Sequence, residues 1–276
     1  MNAGYLIIIK MKKLSLLMIF LSTGMIGGFS QQSGEKLMPV TTNSKSGLSY
    51  YNQAMKYYED VNLKESIATF RKALNQDPDF FMVNYQLALY FLLNQSDDNF
   101  EVFADAAINC KSELSGGEKL LKDVLVSFKQ GQSDVISIGK KLVEMYPGDP
   151  KSYNNLVSFQ SLAGDSAGMI ETLNKAIKIF TKHASFYNQL GYSYLTLKQN
   201  DMAEKAFDKY IELDPKNPNV YDSKGDYYMF VKKYYEAYES YMIAYSMDPS
   251  FSHDKAMLAR ELYERTTGKK LEIISI

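Results

Sequence analysis

Tryptophan is absent from this 276-residue chain, cysteine occurs once and histidine twice. The single cysteine, Cys110, excludes an intrachain disulfide and reads as a small hydrophobe buried in a helix. His183 and His253 have no second ligand three or four residues away, so neither supports a zinc site. Charge of one sign is also lacking: 31 Lys and Arg face 32 Asp and Glu, for a formal net charge of −1. That excludes the basic excess of a nucleic-acid binder and the acidic blocks of a solvating tail. Residues 115–119 carry two glycines and a lysine, but not the leading glycine or the Lys-Ser/Thr ending of a phosphate loop. No nucleophile, base or ligand set stands out, so neither catalysis nor a cofactor is expected.

What the chain does have is 22 tyrosines and a period. Tyr187, Leu190, Gly191 and Tyr194 are followed by Ala203, Phe207 and Pro215. Tyr221, Gly225 and Tyr228 are followed by Ala237, Tyr241, Ala244 and Pro249, each landmark recurring after 34 residues. Tyr187, Leu190 and Tyr194 share one face of a helix. A glycine on that face costs roughly 1 kcal/mol relative to alanine, so a second helix must approach closely there. Ala203, Phe207 and Tyr210 form the stripe of that second helix, with Ala203 expected to face the glycine. Asp214-Pro215 ends it, because proline disfavours helix in the residue before it. Each unit is then a helical hairpin with too much apolar surface to stand alone, and stacking buries the rest.

These landmarks and their spacing resemble the tetratricopeptide repeat. The resemblance runs over residues 47–267, with units at about 47–80, 81–115, 116–149, 150–183, 184–217 and 218–251 and a capping helix at 252–267. In that cap, Leu258, Ala259 and Leu262 are expected to pack, while Lys255, Arg260 and Glu261 face solvent. The fold class it implies is all-α: a right-handed superhelical solenoid of about six hairpins whose first helices line a concave groove. Residues 31–46 read as a flexible linker and 268–276 as a tail.

The family's groove register implies the candidate contacts. They are Tyr51, Asn52 and Met55, then Tyr85, Gln86 and Leu89, in the first two units. Later units supply Asn154, Asn155 and Ser158, then Asn188, Gln189 and Tyr192, then Asp222 and Asp226. A side-chain amide can both donate to and accept from an extended backbone. Asn52, Gln86, Asn155 and Gln189 therefore resemble a peptide-holding column, broken by Leu121 in the third unit. The plainer reading is a solvated polar face, and for Asp222 and Asp226 a solvated acidic rim.

Residues 10–30 read as an export signal. Lys10, Lys12 and Lys13 precede an apolar run, and Gly28 and Ser30 set small residues before a cleavage point. Met11 is then a candidate start. The alternative is an uncleaved anchor that adds residues 5–9 to the run, the one route by which this chain would meet a membrane. The functional expectation is an exported interaction module, in a bacterial periplasm or cell envelope, that holds a protein or peptide segment in its groove. Two alternatives stay open: a scaffold subunit using its convex face or ends, and a tyrosine-rich glycan binder.

Overall fold

The computed structural model describes residues 37–271 apart from 60–61 and 132–133. The expected export signal lies outside these residues, as do positions 272–276 of the tail. Every regular element among the described residues is a helix, thirteen in all. They are α1 (Lys45–Glu59), α2 (Leu63–Gln76), α3 (Phe81–Leu93), α4 (Asp97–Ile108), α5 (Gly116–Lys129), α6 (Val135–Met145) and α7 (Pro150–Leu162). There follow α8 (Ser166–Ile179), α9 (Ala184–Thr196), α10 (Asn200–Leu213), α11 (Pro218–Phe230), α12 (Tyr234–Met247) and α13 (His253–Thr267). The first twelve pair as six antiparallel hairpins, and α13 packs on α12.

One device makes the hairpins. At the tips of hairpins 2 to 6 a left-handed residue closes the first helix: Gln95, Gly131, Gly164, Lys198 and Lys232. In hairpin 5 the Lys198 N–H donates to the Leu195 carbonyl and the Gln199 N–H to the Tyr194 carbonyl, both at 2.9 Å. This paired closure satisfies the last carbonyls of the helix. Hairpin 6 repeats it through Lys232 and Lys233, and hairpin 4 through Gly164 and Asp165. The next helix starts at once, with Asp165 accepting the Gly168 N–H at 2.8 Å. Between hairpins, Pro150 and Pro218 open α7 and α11, capped by Asp149 and Asn217. Ser115 and Glu118 form a reciprocal capping box at α5.

The described residues fall into two compact units, one ending at Phe180 and one beginning at Thr181. In the first, Tyr51, Phe80, Phe81, Tyr85, Leu121, Leu142 and Phe159 belong to one continuous core. In the second, the glycines of α9 and α11 meet rings. A Cβ on Gly191 would lie 2.6 Å from the Phe207 ring, and one on Gly225 would lie 2.4 Å from the Tyr241 ring. The aromatic landmark of the second helix therefore covers each glycine, where Ala203 was expected.

Three other expectations need correction. Residues 37–44 are not a free linker, because Met38 is only 4% exposed and its N–H donates to Asp149 Oδ2 at 2.9 Å. Leu258 is 38% exposed rather than packed, and Ala256, Ala259 and Leu262 form the buried side of α13. Cys110 lies just beyond α4, half-buried, with its Sγ donating to the Asp79 carbonyl at 3.1 Å.

Candidate functional site

The groove candidates sit on α1, α3, α7, α9 and α11, the first helices of their hairpins. Most are buried by the chain itself. Tyr51, Met55, Tyr85, Leu89, Asn155 and Ser158 are buried in the first unit. Asn52 is exposed there, and Gln86 and Asn154 are half-buried. In the second unit Asn188, Gln189, Tyr192, Asp222 and Asp226 are all buried.

The first unit closes on itself. The Tyr85 hydroxyl on α3 donates to Asn155 Oδ1 on α7 at 2.7 Å, joining hairpins 2 and 4. Asn155 Nδ2 donates to the Lys151 carbonyl one turn back at 2.8 Å. Both ends of this amide are thus engaged within the chain. Lys151 also reaches over the Tyr51 ring, with Nζ 5.8 Å from its centroid, which joins hairpins 1 and 4. The Ser158 hydroxyl turns back to the Asn154 carbonyl at 2.7 Å. Burial, and then the neighbouring Tyr58 and Tyr51, hold the Tyr85 phenol well above its ordinary pKa, so it stays a neutral donor.

In the second unit the structure replaces the acidic rim with a buried charge cluster. Asp222 and Asp226 lie one turn apart on α11. Lys255 of α13 donates to Asp222 Oδ2 at 2.7 Å and to Asp226 Oδ1 and Oδ2 at 2.9 and 3.2 Å. Asp226 also accepts the Tyr192 hydroxyl at 2.9 Å and the Tyr241 hydroxyl at 2.6 Å. Ser252 donates to Asp222 from the turn before α13, where its φ of 61° is left-handed. Burial raises the Asp226 pKa; the Lys255 ammonium pulls the other way and Asp222 adds to the rise. At Lys255 burial works to lower the pKa, and the two carboxylates raise it by more. Two buried acids, one cation and two phenols make a satisfied lock for the capping helix. Every carboxylate oxygen of the two acids faces a donor of the chain itself.

Lys255 was expected to face solvent, and the structure turns it onto the two acids instead. Its signal was faint: a lysine and a serine at the start of the cap, one unit after two acids on one helix face. Tyr192 and Asp226 stand 34 positions apart in the same register and bond to each other directly, so that register is knitted to itself here.

His183 precedes α9, with Nδ1 2.7 Å from the Ser185 hydroxyl and its ring stacked on Phe186 at 4.3 Å. Burial lowers its pKa from 6.5 to about 4. Among the described residues no three His, Cys, Asp or Glu side chains stand together as a metal site would need.

With this geometry in place, comparison with known proteins adds the following. Residues 184–217, the fifth hairpin, match the family model described as Tetratricopeptide repeat. No curated protein matches the chain. A thermophilic TPR protein of Thermus thermophilus, TTC0263, is 16% identical over 79% of this chain and 98% of its own, with a TM-score of 0.48. PilW, a type IV pilus biogenesis factor, is 14% identical over 78% of this chain and 99% of its own, with a TM-score of 0.47. The APC/C hetero-tetramer Cut9-Hcn1 is 18% identical over 80% of this chain and 42% of the compared chain, with a TM-score of 0.47.

Proposed function

We propose that this chain is an exported, non-catalytic scaffold that joins other proteins through the outer sides and ends of its tetratricopeptide-type hairpins. The observation that carries this reading is the Tyr85–Asn155 bond, with the burial around it. A concave groove in the first unit would need those side chains free, and they already hold one another. Exposed apolar side chains also lie on second helices. Met145 ends α6, Ile179 ends α8 and Met247 ends α12, each more than a third exposed and each at the same register of its hairpin. Val102 on α4 and Ile243 on α12 add to it. Within the first unit, Met145 and Ile179 recur at one register of successive hairpins, as a protein-binding side of that unit would present them. Buried rings cannot stack on a sugar, and Tyr51, Tyr85, Tyr192, Tyr238 and Tyr241 are all buried, which leaves the glycan reading to pairs such as the exposed Tyr235 beside Tyr263.

Export rests on the sequence pattern of residues 10–30. No helix among the described residues is long and apolar enough to cross a membrane. A narrower groove reading keeps one support, namely the accessible amides of Asn52 and Gln86 on adjacent hairpins. One experiment tests both. Photo-crosslinking residues are placed singly at Met145, Ile179 and Met247, and at Asn52 and Gln86, in the native cell envelope. Adducts to one protein from the first set support the scaffold, and adducts only from the second set reverse it in favour of the groove. Fractionation of the same cells tests export, and chain retained in the cytoplasm would sink that part.

A further inference from the structure

The two ends of the second unit differ in charge. Helices alternate in direction, so the tips of hairpins 5 and 6 and the last turn of α13 share one end. Lys198 and Lys232 hold the same place in the two tips, 34 positions apart. There α10 packs on α11 through Phe207 and Tyr227, with ring centroids 6.1 Å apart. Tyr235 at the start of α12 meets Tyr263 near the end of α13 at 5.7 Å. Glu264 folds the end of the cap back by accepting the Leu271 N–H at 3.1 Å. Residues 196–202, 230–236 and 264–271 thus gather the exposed cations Lys198, Lys232, Lys233, Arg265, Lys269 and Lys270 against the acids Asp201, Glu236 and Glu264. The opposite end, where the hairpins join, sets Lys182 and Lys216 against Asp214, Asp248 and Asp254. Leu197, Met202, Phe230 and Tyr235 stand among the cations, each more than a third exposed.

We propose that this end of the second unit rests on an anionic phospholipid bilayer, with Leu197, Met202, Phe230 and Tyr235 in the headgroup layer and the lysines among the phosphates. Three features carry this. The charge is complementary and available. Lys270 pairs with Glu264 at 3.0 Å and Lys233 lies over the Tyr228 ring at 5.8 Å, while Lys198, Lys232, Arg265 and Lys269 make no ion pair with a described residue. Two of the three opposing acids, Asp201 and Glu236, sit in the first turns of α10 and α12, where the positive helix end offsets them. The apolar side chains are interleaved with these cations on protruding tips. A bilayer interface takes that mixture, since apolar bodies enter it and long cationic side chains reach back to the headgroups. An acidic protein would need a matching pocket for each protruding side chain. The backbone supplies the third feature. Lys198 and Lys232 hold φ of 58° and 63° where hairpins 3 and 4 have Gly131 and Gly164. A side chain is disfavoured in that conformation, and strain of this kind gathers at positions kept for function.

The chain has no tryptophan, so Phe230→Trp in the full chain places a single reporter at this edge. The test is its fluorescence with vesicles of phosphatidylcholine, with and without phosphatidylglycerol, whose acyl chains carry bromine as a quencher. A blue shift and quenching are expected on the phosphatidylglycerol vesicles alone, and both should weaken as salt is raised. Adding Lys198→Gly and Lys232→Gly should lower the affinity by about twentyfold. Those two changes relieve the strained tips, so weaker binding by a chain that denaturation shows to be no less stable is not a folding defect. An emission that no vesicle alters overturns the proposal. So does quenching of equal strength without phosphatidylglycerol, or an affinity that the two glycines leave unchanged. Binding of the chain through another segment leaves the reporter in water and reads as the first of these. An acidic protein from the same cells that shifts the emission when vesicles do not also overturns it, and gives the edge to a protein partner.

Discussion

At the scale of single residues, the left-handed side-chain-bearing positions among the described residues are three hairpin tips and Ser252 before the cap. Lys198 and Lys232 hold φ near 60° where hairpin 4 has glycine. A left-handed non-glycine residue costs about 1–2 kcal/mol. Lys198→Gly and Lys232→Gly should each stabilise by about 0.5–1 kcal/mol, once the greater freedom of glycine in the unfolded chain is deducted. Chemical denaturation checks this, and a loss of stability at both would mean the tips are not strained. Gly225→Ala should destabilise by roughly 1–3 kcal/mol, and by more than Gly191→Ala. Both would press on an aromatic ring, but the Tyr241 ring is pinned through its hydroxyl to Asp226 while the Phe207 ring has no such tether. Equal costs would show that the pin does not restrain the ring. His183 has a pH signature. Its folded pKa is about 4 against an ordinary 6.5, so unfolding takes up a proton between those values. Its contribution is present above 6.5 and is lost as pH falls toward 4. NMR titration of the ring should give a midpoint near 4, and one near 6.5 would rule the burial effect out.

At the scale of the element, the capping helix is the informative piece. Lys255→Met removes the cation from two buried acids. Breaking a fully buried pair costs about 3–5 kcal/mol, and the part-exposed lysine side chain brings the expected loss down to about 2–3 kcal/mol. Adding Asp222→Asn and Asp226→Asn to that variant should recover much of the loss, as the uncompensated charges disappear. A triple variant no better than the single one would mean that packing, not charge, holds α13. Asp226 has the pH sign opposite to His183. Its folded pKa is raised, so the folded state keeps the proton longer. Its contribution is present below the ordinary aspartate value of 3.8 and is lost as pH rises through the raised value. Asp226→Asn should therefore flatten the fall in stability that begins as pH rises above 3.8, and His183→Asn the fall between 6.5 and about 4. The hairpins themselves were legible in the sequence because their landmarks are local packing positions: Gly191 against Phe207 repeats as Gly225 against Tyr241. The pairing of Lys255 with Asp222 and Asp226, 33 and 29 residues away, was not legible. It depends on how far each hairpin turns against the next, and no periodicity encodes that angle.

At the scale of the whole chain, the same limit explains the groove. The register named Tyr51, Tyr85, Asn155 and Gln189 correctly as residues of first helices, since hairpin order is written in the 34-residue period. Whether those helices leave a channel depends on curvature, and in the first unit Tyr85 and Asn155 meet across 70 residues. The anchoring of residues 37–44 was hidden for a related reason: Met38 and Thr41 sit in a stretch with no period, and their partners Asp149 and Glu118 lie in the turn before hairpin 4 and in hairpin 3. A stack in which each repeat touches only its neighbours unfolds by fraying from its ends and tolerates the loss of a terminal repeat. The Tyr85–Asn155 bond, the reach of Lys151 over Tyr51 and the anchoring of Met38 on Asp149 all skip over neighbours. The first unit is therefore no longer one-dimensional in the sense that makes repeat arrays divisible. Its four hairpins should melt as one transition, and amide exchange in hairpin 1 should be as slow as in hairpin 4. The second unit differs in kind: its lock joins hairpin 5 to hairpin 6 and hairpin 6 to the cap, each to its neighbour, so it should fray from its ends while the first unit responds as a single body.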